Sequence, residues 1–269
     1  LDVVVDEHGY WPESSHYARV SWANMVHFGI AATRAGVRDY VGDPKFRTVA
    51  EFYEKTLTPG DPMRPTTPGA DPDEPAGAAR VNPPYGRGVR FDVWGFGGPL
   101  ARATAERYPE LSRILQWDWQ RTDYSAQRSH RPAGLAQIYS DPDLPAATPD
   151  WHSEFFTHLG YLFRQHLGTP EETYLLLASR MARNSDGEIW PADVGGILKW
   201  FAHGAPVATA FPRGPASHVM LVNRVSLAGN WDPEVGESPD NRYHTETRYE
   251  GFAPLPALDY GHVELEVTD

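Results

Sequence analysis

The sequence predicts an α+β chain in two parts, helical first and strand-rich afterwards. Two observations carry this. Apolar residues recur at helical spacing in several stretches of the first 168 positions. After Gly168 they gather instead into short β-branched and aromatic runs bounded by Gly and Pro. Helices followed by strands, rather than alternating with them, argue for an α+β fold or two domains. The boundary falls near residue 168, giving one part over 1–168 and another over 169–269.

The elements follow in order. Residues 15–34 read as a helix, with Tyr17, Val20, Asn24, Phe28 and Ala31 on one stripe and Trp22, Val26 and Ile30 opposite. A helix apolar on both sides is expected to be buried between neighbours. Gly36 is its stop signal. Asp43-Pro44 opens a second helix, with Asp as N-cap and Pro at the first helical position. Phe46, Val49, Ala50, Tyr53 and Leu57 then form a single stripe, so the pair reads as a helical hairpin. Residues 59–84 are rich in Pro, Gly, Asp and Ala and read as a long irregular connection. Helix is expected again over 99–108, 109–119 and 151–166, with loop over 122–149. Beyond Gly168, residues 173–178, 196–203, 206–211 and 218–227 read as strands. Near the end, Val263, Leu265 and Val267 alternate with His262, Glu264 and Glu266, the pattern of a half-buried strand.

Composition narrows the function. Length 269 fits one large domain or two smaller ones at roughly 150 residues each. A net charge of -12 argues against nucleic acid, which needs a basic footprint. An anionic ligand would require a local basic patch. The lack of cysteine excludes disulfides and thiolate metal sites. No apolar run approaches the roughly 18 residues of a membrane span. The opening LDVVVD has no Met and no signal-peptide pattern, the expectation for a processed or trimmed chain. Nine Trp and thirteen Tyr offer flat apolar faces that suit sugar rings as well as cores.

The densest chemistry lies in DEHGYWPESSHY, residues 6–17, at the entrance to the first helix. If Ser15 caps that helix, Tyr17 sits in the first turn, where free backbone N–H groups and the positive dipole end favour a phenolate. Tyr17 is then a candidate acid or base, flanked by Glu13 and His16. The structural alternative is a packing tyrosine bonded to Glu13. A second cluster, GEIWPADVGG over 187–196, holds Glu188, Trp190 and Asp193 in a Pro- and Gly-shaped turn before a strand. It reads either as a loop over a binding cleft or as a solvated surface turn. His218 and Arg224 lie on an expected strand, and His218 with Asp193 is a candidate metal pair, imidazole plus carboxylate suiting zinc. No short His-x-His pair supports that metal. The glycines of VWGFGGPL, residues 93–100, follow no strand and lack a lysine, so they are not a phosphate loop.

The pattern D-x-x-G-x-W-x-E-x-S, here Asp6, Gly9, Trp11, Glu13 and Ser15 with Tyr17 close behind, resembles the heparinase II/III-like polysaccharide lyases. NPPYG (82–86), WPADVGGILKWFAHGAPVATAF (190–211) and HVMLVNRVSL (218–227) are similar to later segments of that family. The resemblance implies an incomplete (α/α) toroid of helical hairpins, then an antiparallel β-sandwich, with an acidic, uronic-acid-containing polysaccharide bound between them and cleaved by β-elimination. It implies Tyr17 as the catalytic tyrosine, with Glu13 and His16 beside it. Tyr10, Trp11, Asn24, Glu188, Trp190 and Arg224 become substrate-binding candidates. It also implies a periplasmic or secreted location. The residues themselves demand no cofactor, and zinc or calcium at Asp193 and His218 is the ion the resemblance would place there. Glu188 and Trp190 stand where the family's histidine-bearing loop would be.

Two other functions fit the residues. A glycoside hydrolase would pair Glu13 with Glu188 or Asp193 across the scissile bond, about 5–10 Å apart. A non-catalytic glycan-binding protein would keep the aromatic surface without the base.

Overall fold

The computed structural model describes residues 5–11, 15–61, 80–83, 96–121, 138–178, 196–209, 223–224, 244–256 and 258–268. The chain forms two compact units, one holding most of the first 151 residues and the other residues 152–269 with two short upstream segments.

The first unit is helical. It contains α1 (Ser15–Arg34), α2 (Pro44–Lys55), α3 (Gly97–Thr104) and α4 (Pro109–Trp119). α2 begins as its sequence dictates: the Asp43 carboxylate accepts the Lys45 N–H at 2.9 Å, and Pro44 occupies the first turn. α4 also opens on a proline, Pro109, with no side-chain cap. α1 buries Trp22, Val26 and Ile30, and Trp22 packs on Phe46 of α2 with ring centroids 4.7 Å apart. Its other side stays open, with Val20 45% and Phe28 62% exposed. The expectation of burial on both sides is therefore met on only one.

α3 and α4 approach closely because α3 starts with two glycines. A Cβ at Gly98 would fall 2.5 Å from the Trp119 ring, and one at Gly97 2.8 Å from the Leu115 carbonyl. Ser112 donates from Oγ to the Ala101 carbonyl at 2.8 Å, tying the two helices together.

The second unit is built of antiparallel strands. A six-stranded sheet runs β1 (Glu154–Phe156), β2 (Gly160–Gln165), β3 (Thr173–Ala178), β4 (Gly196–Ala202) and β5 (Ala205–Thr209), with β6 (Asn223–Arg224) pairing β4. The helix expected over 151–166 is replaced by β1, a tight turn and β2. The reason is local. FFTHLGYLF is a short, mostly apolar stretch, which periodicity alone cannot assign to helix or strand. Gly160, at φ 131°, turns the chain so that Phe155 pairs Tyr161. β4 and β5 join through His203 and Gly204 at φ 50° and 69°, two left-handed residues that suit a tight hairpin.

Leu162 and Arg164, Tyr174 and Leu176, and Lys199 and Phe201 share one face of this sheet and are buried. Arg164 pairs there with Glu172 at 3.7 Å, both side chains almost wholly buried. The opposite face carries Tyr161 and Phe163. A second sheet, the hairpin of β7 (His244–Ala253) and β8 (Tyr260–Thr268), lays Phe252 flat on Tyr161 at 5.3 Å and Tyr249 against Phe155 at 4.7 Å. Gly261 leaves room for those rings, since a Cβ there would lie 2.6 Å from Phe163. The architecture is an α+β chain with helices and antiparallel sheet in separate units.

Candidate functional site

The entrance to α1 is held by its own residues. The Asp6 carboxylate accepts the backbone N–H groups of His8 at 2.9 Å and Tyr10 at 2.7 Å, folding residues 6–10 into a tight turn. Lys45 of α2 donates from Nζ to the carbonyls of Val5 and Asp6, at 3.2 and 2.9 Å. Gly9 sits at φ 91° with its Cα against the Thr48 and Val49 backbone, where any side chain would collide. Tyr10 is buried and meets Phe52 edge-on at 5.8 Å. Trp11 is half-buried. Ser15, at the start of α1, is buried as well. Residues 5–10 are thus stapled to α2 by the Lys45 ammonium and by close backbone approach at Gly9.

Tyr17 and His16 lie in the first turn of α1. Glu13 lies outside the described residues, as do Glu188, Trp190, Asp193 and His218. Arg224 belongs to the backbone of β6. Asn24 is exposed on α1, and its Nδ2 donates to the Val20 carbonyl at 3.2 Å. Tyr10 is a packing residue in this arrangement, its ring spent on Phe52 rather than offered to solvent. Of the sequence candidates, the described residues include Tyr10, Trp11 and Asn24, together with the backbone of His16, Tyr17 and Arg224. The zinc or calcium candidates Asp193 and His218 both fall outside the described residues, so no chemistry is routed through an ion.

A second polar cluster lies inside the helical unit, and the sequence reading missed it. Glu54 of α2 and Asp118 of α4 are 2% and 1% exposed. Burial, then the charge and hydrogen bonding of Asp118, pushes the Glu54 carboxyl well above the usual carboxylate range. Burial likewise raises Asp118 to about 6, against the hydrogen bond from Glu54 and the charges of Arg80 and Arg121. Both guanidiniums lie over the Trp117 ring, Arg80 at 5.1 Å and Arg121 at 4.3 Å. Arg80 begins a short segment, residues 80–83, held firmly to the end of α2. Arg80 Nη1 donates to the Thr58 carbonyl at 3.4 Å, and Thr58 N donates to the Val81 carbonyl at 2.8 Å. Asn82 Nδ2 donates to the Tyr53 carbonyl at 2.9 Å. Asn82 is the first residue of NPPYG, so the opening of that motif is a buried anchor. A sequence signal existed for Asp118 alone, an aspartate set between Trp117 and Trp119.

No family model matches the chain, and no match was found among curated proteins. The search of solved structures returned a heparinase III, at a TM-score of 0.53 and 13% identity. The chain is structurally related to heparinase III. The match covers 97% of this chain and 35% of that one, so the chain spans about a third of its relative's length. At this identity the likeness concerns the fold alone. Among the described residues, no helix is long and apolar enough to cross a membrane.

Proposed function

We propose that the chain is a polysaccharide lyase-like protein that acts on an acidic, uronic-acid-containing polysaccharide by β-elimination, with Tyr17 as the acid/base. The observation that carries this reading is the stapled entry to α1. Asp6, Gly9 and Lys45 hold residues 5–10 against α2, and α1 begins at Ser15 with Tyr17 in its first turn. The heparinase III-like fold supports the same reading.

The chemistry asks for little more than a tuned proton carrier. The proton next to the uronate carboxylate leaves, a carbon–carbon double bond forms, and the glycosidic oxygen departs with a proton. A free tyrosine has a pKa near 10, so a phenolate at neutral pH needs help. The unpaired N–H groups and positive end of the first helical turn supply it. His16 and Glu13 flank the tyrosine in sequence and are the candidates to exchange protons with it. The substrate's own negative charge must be countered locally, because the chain as a whole is acidic.

Two variants separate this from hydrolysis by a carboxylate pair. Tyr17→Phe should abolish formation of unsaturated chain ends, while Glu13→Gln should slow turnover but leave its product unsaturated. Loss of activity in Glu13→Gln with Tyr17→Phe still active, and new reducing ends that carry no unsaturation, would overturn the elimination reading.

A further inference from the structure

We propose that Glu54 and Asp118 hold one proton between them, as a carboxylic acid donating to a carboxylate, and that this shared proton locks α2 to α4 and to the segment 80–83. The inference is independent of the lyase reading.

The geometry carries it. Both side chains are sealed from solvent, and among the described residues no backbone or cationic donor reaches any of the four carboxyl oxygens. Two carboxylates left bare in this way would each bear a desolvation cost of several kcal/mol. Facing each other, they could not both ionise without further repulsion. The one hydrogen bond open to them is a bond carried by a proton that one of them keeps.

The surroundings say which residue keeps the proton. Among the described residues the charged groups acting on the pair are Arg80, from 80–83, and Arg121, just past α4. Both act on Asp118, which favours the carboxylate there. α3 contributes no titratable group at this point; its first residue, Gly97, lies with its Cβ position 3.6 Å from Glu54 Oε1. Glu54 is therefore the acid and Asp118 the carboxylate. The raised Glu54 and less raised Asp118 agree with that order.

The test is a carboxyl-carbon NMR titration of the full chain, wild type and Asp118→Asn. The wild type should show Glu54 protonated at neutral pH, with Asp118 titrating in a separate, lower step. In Asp118→Asn the like charge is gone and the amide can donate, so the proton affinity of Glu54 should fall by roughly tenfold or more. A Glu54 that is ionised at neutral pH in the wild type would overturn the proposal. So would an elevated Glu54 that does not move in Asp118→Asn, since burial alone would then explain it. If Asp118→Asn fails to fold, the wild-type titration decides by itself: two separated steps support the shared proton, and two ordinary carboxylates contradict it.

Discussion

Gly9 lies with its Cα pressed to the backbone of Thr48, so that the loop before α1 touches the second turn of α2 with no side chain between them. The contact joins two segments far apart in sequence. Gly9 also needs its positive φ, which an L side chain adopts at a cost.

Gly9→Ala should therefore destabilise the helical unit by about 1–3 kcal/mol, since it adds both strain and a collision with backbone that has little room to yield. Urea unfolding followed by circular dichroism measures this. If the entry segment positions Tyr17, turnover should fall further than the folded fraction does. Activity that simply tracks the folded fraction would remove the positioning role.

The acid pair has a consequence for stability as well as for titration. A carboxyl whose folded pKa lies above its unfolded value contributes stability that is full below the unfolded pKa and is lost as pH rises through the folded one. Asp118 should make its contribution disappear between its ordinary value of 3.8 and about 6. Glu54 should extend the decline to higher pH. Glu54→Gln keeps a donor toward Asp118 and cannot ionise, so its unfolding free energy should fall less with pH than that of the wild type. Parallel pH profiles for the two proteins would contradict this.

Arg164 and Glu172 form the buried ion pair of the sheet unit. Glu172 also accepts the Gly168 N–H at 2.9 Å, so it organises the turn between β2 and β3. Arg164→Met should cost about 3–5 kcal/mol, because it removes the guanidinium that balances a buried carboxylate. Replacing both residues by apolar ones of similar volume should cost less than the single change. A double-mutant cycle on thermal unfolding checks this.

Much of the helical unit was legible in the sequence, and particular residues show why. Asp43-Pro44 and Pro109 mark the starts of α2 and α4 by local chemistry that needs no tertiary context. Asp6 and Gly9 stood out as a motif, and both turn out to shape backbone. The β1–β2 hairpin was read as helix because a strand buried in an apolar run carries no period-2 signal. The two faces of α1 looked equally apolar, and only packing against Phe46 chose the Trp22 side. Glu54 and Asp118 could not be paired from sequence: each is an ordinary acid on an amphipathic helix until the fold closes α4 over α2. The second sheet was half visible, since β8 alternates cleanly, while its partner β7 carries Gly251 at a shift in register.

The central claim is elimination, and it leaves a chromophore. The full chain should be incubated with heparan sulfate, alginate, ulvan and pectate while the ultraviolet absorbance of unsaturated uronate ends is followed. The account predicts a steady rise on at least one of these, lost in Tyr17→Phe with the helical content unchanged. A folded protein that raises no absorbance on any of them, or one whose signal survives Tyr17→Phe, would contradict it.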